Sequence, residues 1–369
     1  MHPRLVIATL ASAHPMGQQA YEERVATLAP AAVGGGVEVR RAVVRTLRSP
    51  LPGTARVPGR LLRRSSAGVR RAAGAVLYGR AQAVHRMGLS LPPASVPEIV
   101  TIHDTVAWRF PDETPPEPFA AEETRRAAAV VAVSRFSADD AAERLGLDHV
   151  HVVHNGVGTE FFDPEPLDAG TLAALGVPGR FVLHAGGSTL RKNLEGLAAA
   201  WPRVRAAHPD VRLILTGPPS DRRDRLFGPV DGALRVGRLP DAVLPRLMAS
   251  ASAVVVPSLY EGFGLPALEA MAARVPVVAA DRSSLPEVCG EAGWLVEPDS
   301  RSLADGLVHV LDGGGDVDAR VRAGRDRAAQ FTWERSAAGH ARVWREVLGL
   351  DLGPLVSAGP QQEGGGTTP

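Results

Sequence analysis

The sequence predicts an α/β protein built from two doubly wound domains, and three observations carry that prediction. Apolar strand-like runs alternate with helix-like stretches along both halves of the chain, the pattern of parallel sheets covered by helices. Glycines follow several of those runs, at Gly186-Gly187, Gly217, Gly237 and Gly262 to Gly264, where a strand must turn into the next element. The chain is 369 residues long, which suits two or three domains.

Composition narrows the classes. The net charge is +1, so no global field points to nucleic acid. Cys289 is the single cysteine, which excludes an internal disulfide framework and fits a reducing, cytoplasmic setting. No apolar run reaches the ~18 residues of a membrane span. Leu5–Leu10 is too short for a signal peptide and reads as the first strand. Of the 41 basic residues only Lys192 is lysine, as in a GC-rich coding bias, so the site that keeps a lysine stands out.

In chain order, residues 1–30 read as strand, loop and helix, with Gly17 and Gln18 in the loop from His14 to Ala20. Residues 36–46 alternate as a second strand. From Val39 to Pro97 there are 12 arginines and no acid, densest at Arg60, Arg63, Arg64, Arg70 and Arg71. Such a 40–86 block suits anionic head groups at a membrane surface or an anionic acceptor, or is a solvated helix face. Glu98–Asp104 is a strand ending in His103-Asp104, and strand ends face the ligand crevice in doubly wound folds. Thr105–Pro111 and Pro111–Pro118 read as loops. A buried strand ends at Ser134, with Ser134 or Ser137 capping the next helix and Arg135 near the cleft. Asn155-Gly156 is turn chemistry, and Phe161–Pro166 reads as a linker.

In the second half, Arg180–Gly187 is a strand followed by two glycines. Arg191-Lys192 then precedes a helix from about Asn193, which Pro202 is expected to kink or end. Glycines, a guanidinium and an ammonium before a helix make an anion site. Val211–Gly217 and Ala233–Leu239 are further strands, and Asp241–Ala249 is a helix. Ala253–Pro257 leads into Ser258-Leu-Tyr-Glu-Gly-Phe-Gly-Leu-Pro-Ala-Leu-Glu269. This is strand, glycine turn and helix start, with Pro266 suited to the first helical turn. Carboxylates at Glu261 and Glu269 can accept hydrogen bonds from sugar or ribose hydroxyls. Val275–Ala280 is the next strand, and Cys289 reads as an inert buried thiol.

The Ser258–Glu269 string resembles the nucleotide-sugar motif of glycosyltransferase family 4, retaining enzymes of the GT-B fold, and the resemblance is strong over about residues 165–300 and weak before them. It implies two Rossmann-like domains facing across a cleft. The acceptor domain would span 1–165 and be rejoined by a crossover helix at about 332–350; the donor domain would span 166–331, before a disordered tail over 351–369. It implies that Glu261, Gly262, Phe263, Gly264 and Leu265 contact the donor sugar, and that Glu269 holds the ribose. Arg191 and Lys192, with Gly186, Gly187 and Gly17, would hold the diphosphate, and backbone groups of Val236, Gly237, Arg238 and Leu239 the base. His103 would be the catalytic residue of the acceptor domain, beside Glu261, Arg191 and Lys192, with Asp104 on the acceptor side. Glu287 stands at a conventional position and reads as structural.

With no His, Cys or Asp cluster at metal-ligand spacing, the expected reaction needs no metal or cofactor. A hexose of mannose or glucose type would pass from a UDP- or GDP-sugar to a glycan, lipid-linked or small-molecule acceptor, as in bacterial cell-envelope polysaccharide synthesis. The same fold serves nucleotide-sugar epimerases and silent sugar-nucleotide binders. The expected location is cytoplasmic, peripheral at the inner membrane face if the arginine block docks there.

Overall fold

The computed structural model describes residues 2–12, 17–177 and 179–351. The His14–Met16 part of the first loop and the tail from residue 352 lie outside the described residues. The first sheet holds β1 (Arg4–Leu10), β2 (Glu38–Thr46), β3 (Ala55–Val57), β4 (Ala83–Arg86), β5 (Glu98–Ile102), β6 (Ala129–Ala132) and β7 (His151–Val152). Their spatial order is β3-β2-β1-β4-β5-β6-β7, with parallel pairing. The second sheet holds β8 (Phe181–Ala185), β9 (Arg212–Thr216), β10 (Ala233–Gly237), β11 (Ala253–Val256), β12 (Val277–Ala280) and β13 (Trp294–Val296). Its order is β10-β9-β8-β11-β12-β13, again parallel. Residues of β5, β6, β11 and β12 are buried without alternation, because both faces of such a sheet are covered.

Each sheet reverses its strand order once, between β1 and β4 and between β8 and β11. A crevice opens there beyond the carboxyl ends of the strands. Gly186-Gly187 and Arg191-Lys192 follow β8, and the Ser258–Glu269 motif follows β11. Gly17 follows β1 and His103 follows β5. The topology therefore gathers the residues the sequence singles out at the two facing crevices.

Several local expectations change. The strand β3 is absent from the sequence reading because Pro50, Pro52 and Gly53 crowd its approach and it has only three residues. The helix Leu194–Ala207 runs through Pro202 instead of ending there. Pro202 lies on the exposed face of this helix, so its ring does not crowd the core. Thr105–Pro111, read as a loop, contains the short helix Val106–Arg109.

The arginine block does not form one cationic face. Arg70 and Arg86 are fully buried, and Glu123 accepts from both, from Arg70 Nε at 2.8 Å and from Arg86 Nη1 at 3.1 Å. Arg86 Nη2 also donates to Glu98 at 2.9 Å, and Arg63 pairs with Glu117 at 2.9 Å. The acids missing from 39–97 thus arrive from outside the segment, and buried charges of this kind persist only when paired. A membrane role for the segment is left to the residues still exposed, among them Arg64 and Arg71 beside Leu61, Val69 and Val76.

The final helix, Trp333–Val347, returns to the first half and packs on the helix Gly17–Val33. A chain of neutral groups fixes it. Trp344 Nε1–H donates to His85 Nδ1 at 2.9 Å, which leaves His85 Nε2–H to donate to Thr101 Oγ1 at 2.8 Å. At the other end His340 Nδ1–H donates to the Ser336 carbonyl at 2.8 Å, so its Nε2 accepts from Tyr21 Oη at 2.6 Å. Tyr21 Oη accepts in turn from Thr101 Oγ1 at 3.1 Å, and every bond points the same way. Asn155-Gly156-Val157, read as a plain turn, is a packing junction at the start of this helix. A Cβ on Gly156 would lie 2.3 Å from the Trp333 nitrogen, and Val157 N–H donates to the Phe331 carbonyl at 3.0 Å.

Burial pushes His340 down from 6.5 to about 4, so the folded protein keeps it neutral. A histidine depressed in this way stabilises the fold fully above its unfolded pKa and loses that contribution as pH falls towards 4. His340→Gln can still accept from Tyr21 but cannot titrate. We expect the Tm gap between wild type and His340→Gln to be largest near pH 7.5 and to narrow steadily in melts taken down to about pH 4.5.

Candidate functional site

The motif turn begins where β11 ends. Glu261 is buried, and three side chains converge on its carboxylate. Lys192 Nζ donates to Oε1 at 2.6 Å, Ser258 Oγ donates to the same oxygen at 2.7 Å, and Arg191 Nη1 donates to Oε2 at 3.1 Å. Burial alone would raise the Glu261 pKa, but Lys192 and Arg191 overcome it and hold the group at about 2. Lys192 is pushed down by burial while Glu261 pulls it back. Two oxygens offer about four acceptor sites and three are used, so Oε2 retains one for a further hydroxyl. The sequence brings these groups together through Asn193, whose left-handed backbone and side chain cap the helix Leu194–Ala207, and whose Nδ2 donates to the Pro257 carbonyl at 3.0 Å.

The glycines of the turn have two different reasons. A Cβ on Gly262 would stand 2.1 Å from the His103 carbonyl oxygen, so glycine here lets the second half touch the first. Gly264 has φ +100, which suits glycine, and a Cβ would press on Leu285 at 2.8 Å. Its neighbour Leu265 packs back to the first half, since a Cβ on Gly17 would lie 3.2 Å from Leu265 Cδ1. Ser134 Oγ and Ser137 Oγ both donate to the Gly262 carbonyl, at 2.6 and 2.8 Å, while Ser134 also caps its helix. Tyr260 sits between Phe110 and Phe136, with its hydroxyl donating to Asp140 at 2.8 Å.

His103 and Asp104 therefore lie directly against the turn. Burial pulls the His103 pKa down to about 4, so its imidazole is neutral at pH 7; the Met87 carbonyl bonds the ring and Nε2 is buried without a partner. Asp104 is raised by burial, with Arg191 opposing that shift. Glu269, on the helix Leu265–Ala272, is half-buried and pushed up to about 7 by burial and by Glu160. Gly186 lies beside Lys192, and Gly187 has open space where a Cβ would stand. Phe263 is buried against His154 and Phe331.

The residues expected to meet the base, Val236 to Leu239, run from the end of β10 into the loop after it. The Gly237 carbonyl accepts from Gly217 N–H at 3.0 Å and from Thr216 Oγ1 at 2.7 Å, so both of its lone pairs are occupied within the protein. Glu287 accepts from Arg135 N–H at 2.9 Å, from Phe136 N–H at 3.2 Å and from His154 Nε2 at 2.6 Å, so this carboxylate of the second half caps a helix of the first. Cys289 is buried, with its thiol pushed up to about 12, and offers no nucleophile. Glu113 enters the site without any sequence signal of a role, Ser258 and Tyr260 lie in the motif string without an assigned role, and Ser134 and Ser137 read in the sequence only as helix caps. Among the described residues no group of three or more His, Cys, Asp or Glu is placed to hold a metal ion, and no helix is long and apolar enough to cross a membrane.

Comparison with known proteins fits this arrangement. Residues 14–161 match the Glycosyltransferase Family 4 domain, and residues 179–313 match the glycosyl transferases group 1 domain. This chain belongs to glycosyltransferase family 4. The family 4 chain is 38% identical over 165 residues to O-antigen chain mannosyltransferase B of Escherichia coli, covering 42% of each chain. It is 33% identical over 245 residues to phosphatidyl-myo-inositol mannosyltransferase of Mycolicibacterium smegmatis, covering 63% of this chain and 61% of that one. The chain thus spans from 42% to 61% of these relatives' lengths. Its architecture is that of GT-B glycosyltransferases. Sucrose-phosphate synthase from Thermosynechococcus elongatus superposes with TM-score 0.73 at 22% identity, over 94% of this chain and 99% of that one. HepE of Anabaena, in complex with UDP and glucose, superposes with TM-score 0.70 at 20% identity, over 94% of this chain and 100% of that one.

A methyl group has no room at Gly262. Gly262→Ala is expected to cost about 1–3 kcal/mol of stability by overpacking. Differential scanning calorimetry should show a Tm several degrees lower, and an unchanged melt would remove the His103–Gly262 contact from this account.

Proposed function

We propose that this chain is a retaining glycosyltransferase that moves a hexose of mannose or glucose type from a UDP- or GDP-sugar to a glycan, lipid or small-molecule acceptor, without a metal. The observation that carries this reading is the Glu261 carboxylate, ionised between Lys192 and Arg191 and set beside the glycine turn that touches His103. In this reading the free acceptor site on Glu261 takes a donor-sugar hydroxyl. Arg191 and Lys192 offset the charge that grows on the departing diphosphate, beside Gly186 and Gly187 and with Gly17 opposite. Glu269 accepts from the ribose, and Val236, Gly237, Arg238 and Leu239 border the base. The neutral His103, with Nε2 unpartnered, stands on the acceptor side with Asp104 and contacts the transferring sugar. Exposed Arg64 and Arg71, beside Leu61, Val69 and Val76, are the residues through which the acceptor domain would rest on an anionic membrane surface.

The test is incubation with UDP- and GDP-sugars carrying glucose or mannose, with product analysis. Transfer or donor hydrolysis with retained anomeric configuration supports the proposal. Isomerisation of the donor sugar assigns an epimerase, and a thermal shift without turnover assigns a binding protein.

Two carboxylates give separable outcomes. Glu261→Gln should lose turnover while keeping or improving affinity for the free nucleotide, because it frees Lys192 and Arg191 for phosphate. Glu269 near 7 must ionise to accept well from two hydroxyls, so affinity for the intact nucleotide sugar should rise as pH is raised from 6 to 8. The diphosphate of a nucleotide sugar stays ionised over that range, so the slope belongs to the protein. Calorimetric titration should find the slope flattened in Glu269→Gln; an equal slope in both proteins removes Glu269 from the ribose.

A further inference from the structure

The cations assigned to the diphosphate are already engaged from across the cleft. Arg191 Nε donates to Glu113 Oε1 at 2.9 Å, while its Nη1 serves Glu261. The backbone N–H of Leu190 donates to Asp112 Oδ2 at 2.6 Å, and Arg222 Nη1 stands 3.9 Å from the same carboxylate oxygen. Asp112 and Glu113 belong to the first half, in the proline-rich stretch after the helix Val106–Arg109, whereas Leu190, Arg191 and Arg222 belong to the second. The pair at Arg191 is four-fifths shielded, with both side chains 19% exposed, so solvent screens it far less than a surface bridge.

The charges settle what a donor must do here. Arg191 and Lys192 already face Glu261, Glu113 and Asp104. A diphosphate diester would add two more negative charges beside them. Glu261 is fixed by three bonds and stays. Glu113 and Asp112 hold on through one loop, flanked by Pro111 and Pro115, and are the anions that can leave.

We propose that Asp112 and Glu113 form an internal anion that occupies the diphosphate site and is displaced by the donor, so that donor binding releases the 110–118 loop on the acceptor side. The inference rests on the donor-site reading above. It makes the empty site a competitor for its own ligand. It also orders the substrates: an acceptor that needs the 110–118 loop free binds well only after the donor has moved it. Displacement of one charged hydrogen bond sets the scale, so Glu113→Gln should bind nucleoside diphosphate about tenfold more tightly than wild type. Asp112→Asn should act in the same direction, and the double variant further still.

The experiment is calorimetric titration of wild type, Glu113→Gln, Asp112→Asn and the double variant with UDP, GDP and inorganic pyrophosphate, alongside amide hydrogen exchange of residues 106–117. The expected result is tighter binding of whichever anion binds wild type. Exchange at 112–114 should rise when that anion is added to wild type, and should already be raised in the ligand-free double variant. Unchanged or weaker affinity in Glu113→Gln, or exchange at 112–114 that ignores the ligand, overturns the gate and leaves the donor site standing. A protein and variants that bind none of the three anions overturn both.

Discussion

The Glu261 carboxylate lies buried between Lys192 and Arg191, and the arrangement of the cleft follows from satisfying it. A buried charge missing one partner costs about 3–5 kcal/mol, so each group that touches Glu261 is itself held. Lys192 and Arg191 are set by the short turn Leu190–Lys192 and the Asn193 cap, which the Pro257 carbonyl ties to the end of β11. Ser258 closes the remaining side. Strands β8 and β11 are neighbours across the order reversal, so the cations after one and the carboxylate after the other meet without any long loop. Topology brings opposite charges together, and their pairing then makes the turn rigid enough to present Gly262 to the other half.

Away from the charged contacts of Asp112 and Glu113, several of the contacts that join the halves and dock the final helix are neutral or capped. Two serines converge on the Gly262 carbonyl, Glu287 closes the start of the helix Arg135–Leu145, and the chain from Trp344 to Ser336 contains no charge. Because Trp344 can only donate and the Ser336 carbonyl can only accept, the tautomers of His85 and His340 are fixed by the ends of the chain. The final helix consequently has one docking that satisfies all its polar groups. A helix shifted by one turn would leave buried nitrogens unpaired.

Much of this was legible in the sequence. The alternation of apolar runs gives the parallel sheets, and glycines after β8 and β11 mark the crevices. The sole lysine falls at Glu261, as a residue kept against the chain's own bias would. What was not legible involves partners far apart in the chain. Nothing near Arg70 or Arg86 shows that Glu123 and Glu98 neutralise them, so a segment without acids reads as a cationic surface. Asn155-Gly156 looks like a turn because its steric reason, the backbone of Trp333, lies at the other end of the sequence. Pro202 looks like a break because only the folded chain shows that its face is wet. The role of the Gly237 carbonyl was hidden likewise, since its two donors come from β9 and the residue after it.

The junction at Val157 has a mechanical consequence. The chain passes between the halves twice, once after β7 and once before the final helix, and Val157 bridges Thr332 at the point where the two passages run side by side. Two separated crossings would brace the halves like a door hung on distant posts. Two adjacent ones, bonded to each other, behave as a single narrow strap. An opening of the cleft that kept this junction intact would pivot about it. Contacts close to the strap, such as Phe263 on Phe331, barely move in that rotation.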